Sequence, residues 1–354
     1  MRAAAAVAGT IRRVRTRRLG GQDITAVGGG ELSLATSAAR GVPARDLELV
    51  VHEATAFGIT IFDVTADADS EKLAGEAVRA QRVRDRVVMA TRVPLVVPLP
   101  GAPARDVLPE RLPVRYLQDR IEATLRASRL EVLPLAQLPL RPAWLASRAW
   151  PELAGTCARL VGEGKVLQWG AILDEPTDEA AAALIAEPWL AAISVLYHLW
   201  DRRAEAVFAA ADQRELPILV RQPLAGGALT GNLGPGVRLT PRDDRNELDL
   251  PALERIAVGA ARLSRLVKRE PPAVRSCEAA REAAERTARP EHLECDDVAE
   301  LALRFVLDRA GARPVALPRL HRREHLLPAI AAASAAPLSA GLLARLVGSD
   351  PRVA

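Results

Sequence analysis

Short apolar runs alternate along the chain with longer stretches in which apolar residues recur every three or four positions. The runs are ITAVGGG (24–30), GITIFD (58–63), RVVMATRV (86–93), EVLPLAQL (131–138), KVLQWGAIL (165–173), LAAISVLY (190–197), LPILVRQ (216–222) and RPVALP (313–318), and they read as eight strands. Between them, residues 44–57, 70–80, 117–129, 153–164, 179–186 and 203–214 carry the helical period. Eight strands alternating with helices predict an α/β fold, a (β/α)8 TIM barrel in which the loops after the strands build the site. Two of those loops are long: proline-rich 94–113 after the third strand, and 231–300 before the eighth. Both are expected at the barrel mouth as walls or lids, and 232–247 within the second is dense in turn formers and charges.

Composition narrows the class without choosing a chemistry. With 49% apolar and 26% charged residues over 354 positions, the chain reads as one soluble barrel domain, residues 1–14 forming an arm. The net charge of +4 and pI near 9.3 come from arginines interspersed with acids, and aromatics are only 3%. That distribution argues against nucleic acid, which needs a basic face and stacking platforms. Cys157, Cys277 and Cys295 give neither a disulfide framework nor a zinc pattern, so a reducing compartment is expected. No apolar run is long enough to span a bilayer and the opening residues do not form a secretory segment, so a cytoplasmic location without a membrane is expected. Asp63, Asp67, Asp69 and Glu71 crowd one loop, but helix-start acids serve capping and the dipole, with Asp69 or Ser70 as the cap, and no metal is expected.

Several motifs in order resemble the aldo-keto reductase family. RRLGGQDITAVGGGE (17–31) is similar to its opening hairpin and first strand, and GITIFDVTADADSEKLAGEAV (58–78) to its strand, Asp, loop, Ser-Glu and Leu-Gly helix. RDRVVMATRV (84–93), GKVLQWGAI (164–172) and VRQPLAGGALTG (220–231) match its third, fifth and seventh strands. The resemblance implies an N-terminal β-hairpin, NADPH, and an Asp, Tyr, Lys and His that together reduce a carbonyl. Carried over by position, Asp63 matches the Asp, while Ala68 stands at the Tyr position, Arg92 at the Lys and Pro139 at the His. Ile172 and Leu173 stand where the family holds the nicotinamide amide, and Ser194 where it has a Gln. Arginine stays protonated and cannot share a proton with a phenol.

The resemblance and the residues together lead to three expectations. The first is a small-molecule site around Asp63 and Arg92, paired at the mouth, with no cofactor and no hydride transfer: a non-redox step in specialised metabolism, or a pseudoenzyme. The second is an NADP(H)-dependent reductase with an altered site, using Arg221, Gln222, Leu224, Gly226, Arg319, Arg322 and Arg323 for the cofactor and Tyr197 or Arg92 on the carbonyl. The third is a non-catalytic subunit pairing with a related chain, homo-oligomers being open as well. Trp169, Tyr197 and His198 are candidates for the pocket wall, and Trp144 and Trp150 for the wall or a loop pin.

Overall fold

Three consecutive glycines close the barrel. In a computed structural model of the chain, which describes residues 14–80, 87–98, 105–174, 179–267, 297–309 and 312–348, the Gly28 N–H donates to Ala316 O at 2.9 Å and the Gly30 N–H to Pro318 O at 2.7 Å. A Cβ on Gly30 would overlap the Leu317 carbonyl, and one on Gly28 would overlap Ile61. Only glycine lets first and last strands approach this closely.

The strands are β1 (Thr16–Leu19), β2 (Gln22–Thr25), β3 (Gly29–Leu32), β4 (Ile61–Val64), β5 (Val88–Arg92), β6 (Leu135–Pro139), β7 (Trp169–Leu173), β8 (Leu190–Leu196), β9 (Ile218–Arg221) and β10 (Pro314–Leu317). β3 to β10 form one sheet in sequence order, every neighbour parallel, and β1 and β2 form an antiparallel hairpin. The expected first strand, 24–30, is thus two pieces. At the break, Thr25 and Thr60 exchange N–H to Oγ1 bonds of 2.9 and 3.0 Å, which bend the chain from hairpin into barrel.

The α-helices of six residues or more are α1 (Leu34–Ala39), α2 (Ala44–Ala56), α3 (Ala68–Ala80), α4 (Val114–Ser128), α5 (Trp150–Gly162), α6 (Glu179–Ile185), α7 (Phe208–Gln213), α8 (Leu250–Ser264), α9 (Val298–Leu307), α10 (Leu326–Ser334) and α11 (Ala340–Val347). The expected helix 203–214 begins as a 3-10 turn at Arg203–Val207. In the long connection, α8 starts on Asp249, whose side chain accepts the Ala252 N–H at 2.8 Å. The stretch 232–247 is turns, tied down by Arg40 to Asp244 at 2.8 Å and by Asn246 Nδ2 to Thr240 O at 2.6 Å. Residues 1–13 of the expected arm, and 99–104 and 268–296 of the two long loops, lie outside the described residues.

Two apolar layers follow from strand alternation. Outward side chains meet the helices in the large core, while inward ones fill the lumen: Ile61, Val88, Ala90, Leu135, Ala192, Leu219, Val315 and Leu317. Leu19 and Ile24 of the hairpin join that inner cluster and plug its N-terminal end. Burying each is worth about 1.5–3 kcal/mol.

Candidate functional site at the barrel mouth

Two residues beyond the apolar lumen, the period-2 register turns polar. Ile61 is followed inward by Asp63, Ala90 by Arg92, Leu135 by Gln137, Ala192 by Ser194 and Leu219 by Arg221. These side chains, with Ile172 on β7 and Glu31 and Arg319 beside the closure, form a polar ring at the C-terminal ends of the strands.

Asp63 is fully buried, and four donors hold it. Arg92 donates Nε to Oδ1 at 3.0 Å and Nη2 to Oδ2, Gln137 Nε2 donates to Oδ1 at 3.0 Å, and the Glu31 N–H points at Oδ2 from 3.4 Å. A forked guanidinium matches a carboxylate in plane, which makes this the strong kind of ion pair. Burial works against the charge on Arg92, but Asp63 prevails and raises its pKa further. The pair expected from the sequence is therefore present, and Gln137 completes it.

Further pairs ring the opening. Arg319 meets Glu31 (Nε to Oε2, 2.6 Å), and Arg221 and Arg141 share Asp174 at 2.9 and 3.0 Å. Arg141 also reaches Asp106 at 3.4 Å, which Arg111 approaches at 3.7 Å. Burial pushes the Asp174 carboxyl up, but its two arginines hold it below the usual range. Glu31, Gln137, Arg141 and Asp174 were absent from the sequence candidates. Gln137, a polar residue at an inward step of an apolar strand, carried a signal; the others lie at strand ends, where polarity is ordinary.

Other candidates fall elsewhere. Tyr197 does not face the mouth: it is fully buried, its OH donates to Glu205 Oε1 at 2.8 Å, and its ring packs on Phe208 and Phe305. Burial, with Glu205 beside it, pushes its phenol far up. Trp169 faces outward, its Nε1 donating to Cys157 O on α5 at 3.0 Å, because Gly170, its neighbour in the alternation, takes the inward place. His198 fixes a turn, Nδ1 accepting the N–H groups of Trp200 and Asp201 at 3.2 and 3.1 Å. Trp144 pins a loop, donating Nε1 to Asp106 O at 2.9 Å. The four clustered acids separate: Asp67, rather than Asp69 or Ser70, caps α3 by accepting the Ser70 N–H at 2.8 Å, Asp69 is exposed, and Glu71 is buried against Thr124 Oγ1 at 2.8 Å. Ala68 is the exposed first residue of α3, and Pro139 ends β6.

The other residues expected for a cofactor lie in the turn after β9 and in the segment after β10. Gln222 and Gly226 adopt left-handed backbone in the turn after β9, and the Leu224 carbonyl accepts the Gly227 N–H at 2.9 Å. Arg322 donates to Arg40 O at 3.1 Å, Arg323 meets Glu53 at 3.0 Å, and Arg245, paired with Asp243, lies against Gly227. His321 and His325 stack edge to face there, their centroids 4.7 Å apart.

A ring of eight parallel strands, plugged at the N-terminal end and polar at the other, defines a (β/α)8 barrel whose candidate site is the mouth. Residues 26–350 match the family model for the aldo/keto reductase family, and the chain belongs to that family. A curated relative, methylglyoxal reductase YeaE of Escherichia coli (strain K12), is 27% identical over 173 residues, 48% of this chain; the match spans about half (54%) of the relative's length. The fold is similar to a Klebsiella pneumoniae aldo-keto reductase solved with NADPH (TM-score 0.61, 23% identity, 96% of both chains). It is also similar to AKR11C1 from Bacillus halodurans (TM-score 0.66, 18% identity, 97% of this chain and 98% of that one). The glycerol dehydrogenase AKR11B4 from Gluconobacter oxydans matches at a TM-score of 0.64 with 20% identity over 95% of both.

Proposed function

We propose that this barrel takes a small molecule at its mouth and serves it without hydride transfer, as a non-redox enzyme or a binding protein on a reductase scaffold. The observation that carries the reading is the state of Asp63: its carboxylate is fully hydrogen-bonded and paired with a guanidinium, which cannot hand on a proton. The tyrosine position is the exposed Ala68, and the buried Tyr197 is engaged with Glu205. Absence of a general acid is worth about a hundred- to ten-thousand-fold in rate. The resemblance puts Ile172 and Leu173 where the family holds the nicotinamide amide, and both are apolar and buried, which favours the same reading. No proton or hydride step is therefore assigned here. In this reading the protein is cytoplasmic; no described helix is long and apolar enough to cross a membrane.

A second reading, an NADP(H)-dependent reductase with an altered site, is favoured by family membership, by relatives solved with NADPH and NADP, and by Arg245 against the Gly226–Gly227 turn. Two measurements separate the readings: calorimetric titration with NADPH and NADP+, and NADPH oxidation with methylglyoxal. The proposal expects no turnover above the uncatalysed rate. Low-micromolar NADPH binding together with turnover that saturates in methylglyoxal refutes it.

A further inference from the structure

Three polar groups in adjoining parts of the ring are buried without a hydrogen-bond partner: the Oε1 of Gln137 on β6, the Oγ of Ser194 on β8 and the Nε of Arg221 on β9. Gln137 and Ser194 are each only 1% exposed. Their inward direction follows from the alternation with Leu135, Ala192 and Leu219, which fill the lumen below. Orphaned buried polar groups are costly in an isolated fold, about 1–3 kcal/mol apiece, and call for a partner. Between them β7 offers Gly170 beside Gln137 and the apolar Ile172 beside Ser194, neither of which can bond to them.

The three groups differ in kind, and together they describe a ligand. Arg221 Nε–H is a donor only, the Gln137 Oε1 an acceptor only, and the Ser194 hydroxyl is either. Local charge adds a constraint. Arg92 is matched by Asp63 and Arg319 by Glu31, but on the remaining arc Arg111, Arg141 and Arg221 share only Asp106 and Asp174, which leaves one positive charge over. We propose that this arc binds a small 2-hydroxycarboxylate: the carboxylate accepts from Arg221 and Ser194, and the adjacent hydroxyl donates to Gln137. Just below, Leu135, Ala192 and Leu219 fill the lumen, which limits the ligand to few carbons. This inference rests on the reading of the mouth as a small-molecule site and names its ligand class.

The experiment is calorimetric titration of the full chain with lactate, against lactamide, which lacks the charge, and propionate, which lacks the hydroxyl. Lactate is expected to bind about tenfold or more tightly than lactamide, and several-fold more tightly than propionate. Ser194→Ala is expected to weaken lactate several-fold while the urea midpoint rises, since the hydroxyl is buried without a partner in the free protein. Arg221→Gln is expected to weaken it about tenfold. Equal binding of lactate and lactamide, or indifference to both substitutions, overturns the proposal. If lactate does not bind and lactamide or glycerol does, the anion assignment fails while the small-molecule site stands. NADPH-coupled carbonyl turnover sinks the underlying reading separately.

Discussion

Replacing Arg92 with methionine tests the core of the site most directly. Methionine keeps much of the stem's volume and removes both charge-assisted bonds to Asp63, each worth about 1.5–3 kcal/mol. Asp63 is fully buried, so it is left as an under-compensated carboxylate, a situation that costs about 3–5 kcal/mol. Two facts moderate this: the Arg92 side chain is 18% exposed, so water partly solvates the pair, and Gln137 and the Glu31 N–H remain on the carboxylate. The expected loss is therefore about 3 kcal/mol, read as a lower urea midpoint at unchanged slope. A loss under about 1 kcal/mol would refute the idea that Asp63 depends on Arg92.

Tyr197→Phe should cost about 1–2 kcal/mol through the lost bond to Glu205 and leave lactate affinity within about twofold; a collapse of ligand binding at wild-type stability would return Tyr197 to the site. Burial, with His325 and the arginines 40, 322 and 319 around it, depresses the pKa of His321 to about 3. The unfolded chain then takes up a proton on acidification that the folded one refuses, so its contribution is present above about pH 6.5 and lost as pH falls toward 3. The unfolding free energy from urea titrations between pH 7 and 4 should fall by up to about 1.4 kcal/mol per pH unit for this histidine, and His321→Gln should flatten the slope; parallel profiles would contradict it.

Much of the architecture was legible because it depends on period alone. Seven of the eight expected strands keep their places within a few residues, since buried parallel strands read as apolar runs. The first failed because Ile24 and Thr25 are as strand-like as Gly29–Leu32, and the bend between them is made by Thr60, far along the chain. Asp63 and Arg92 were legible because each ends an apolar strand. The facing of Trp169 was not legible, since a tryptophan on a strand says nothing of it until the register places Gly170 in the lumen. Partners such as Asp174 for Arg221 depend on where two loops end up, which no local pattern encodes.

The hairpin plug makes the lumen a well with one opening. Solvent cannot drain through the floor at Leu19 and Ile24, so anything held by the ring arrives and departs past the rim pairs of Arg141, Arg221 and Asp174. Their shared Asp174 is half-exposed and feels dissolved salt over about 8 Å, whereas Asp63 is fully buried. Ionic strength thus acts on the rim more than on the carboxylate beneath it, and in the proposed reading the residence time of a ligand would follow the salt outside.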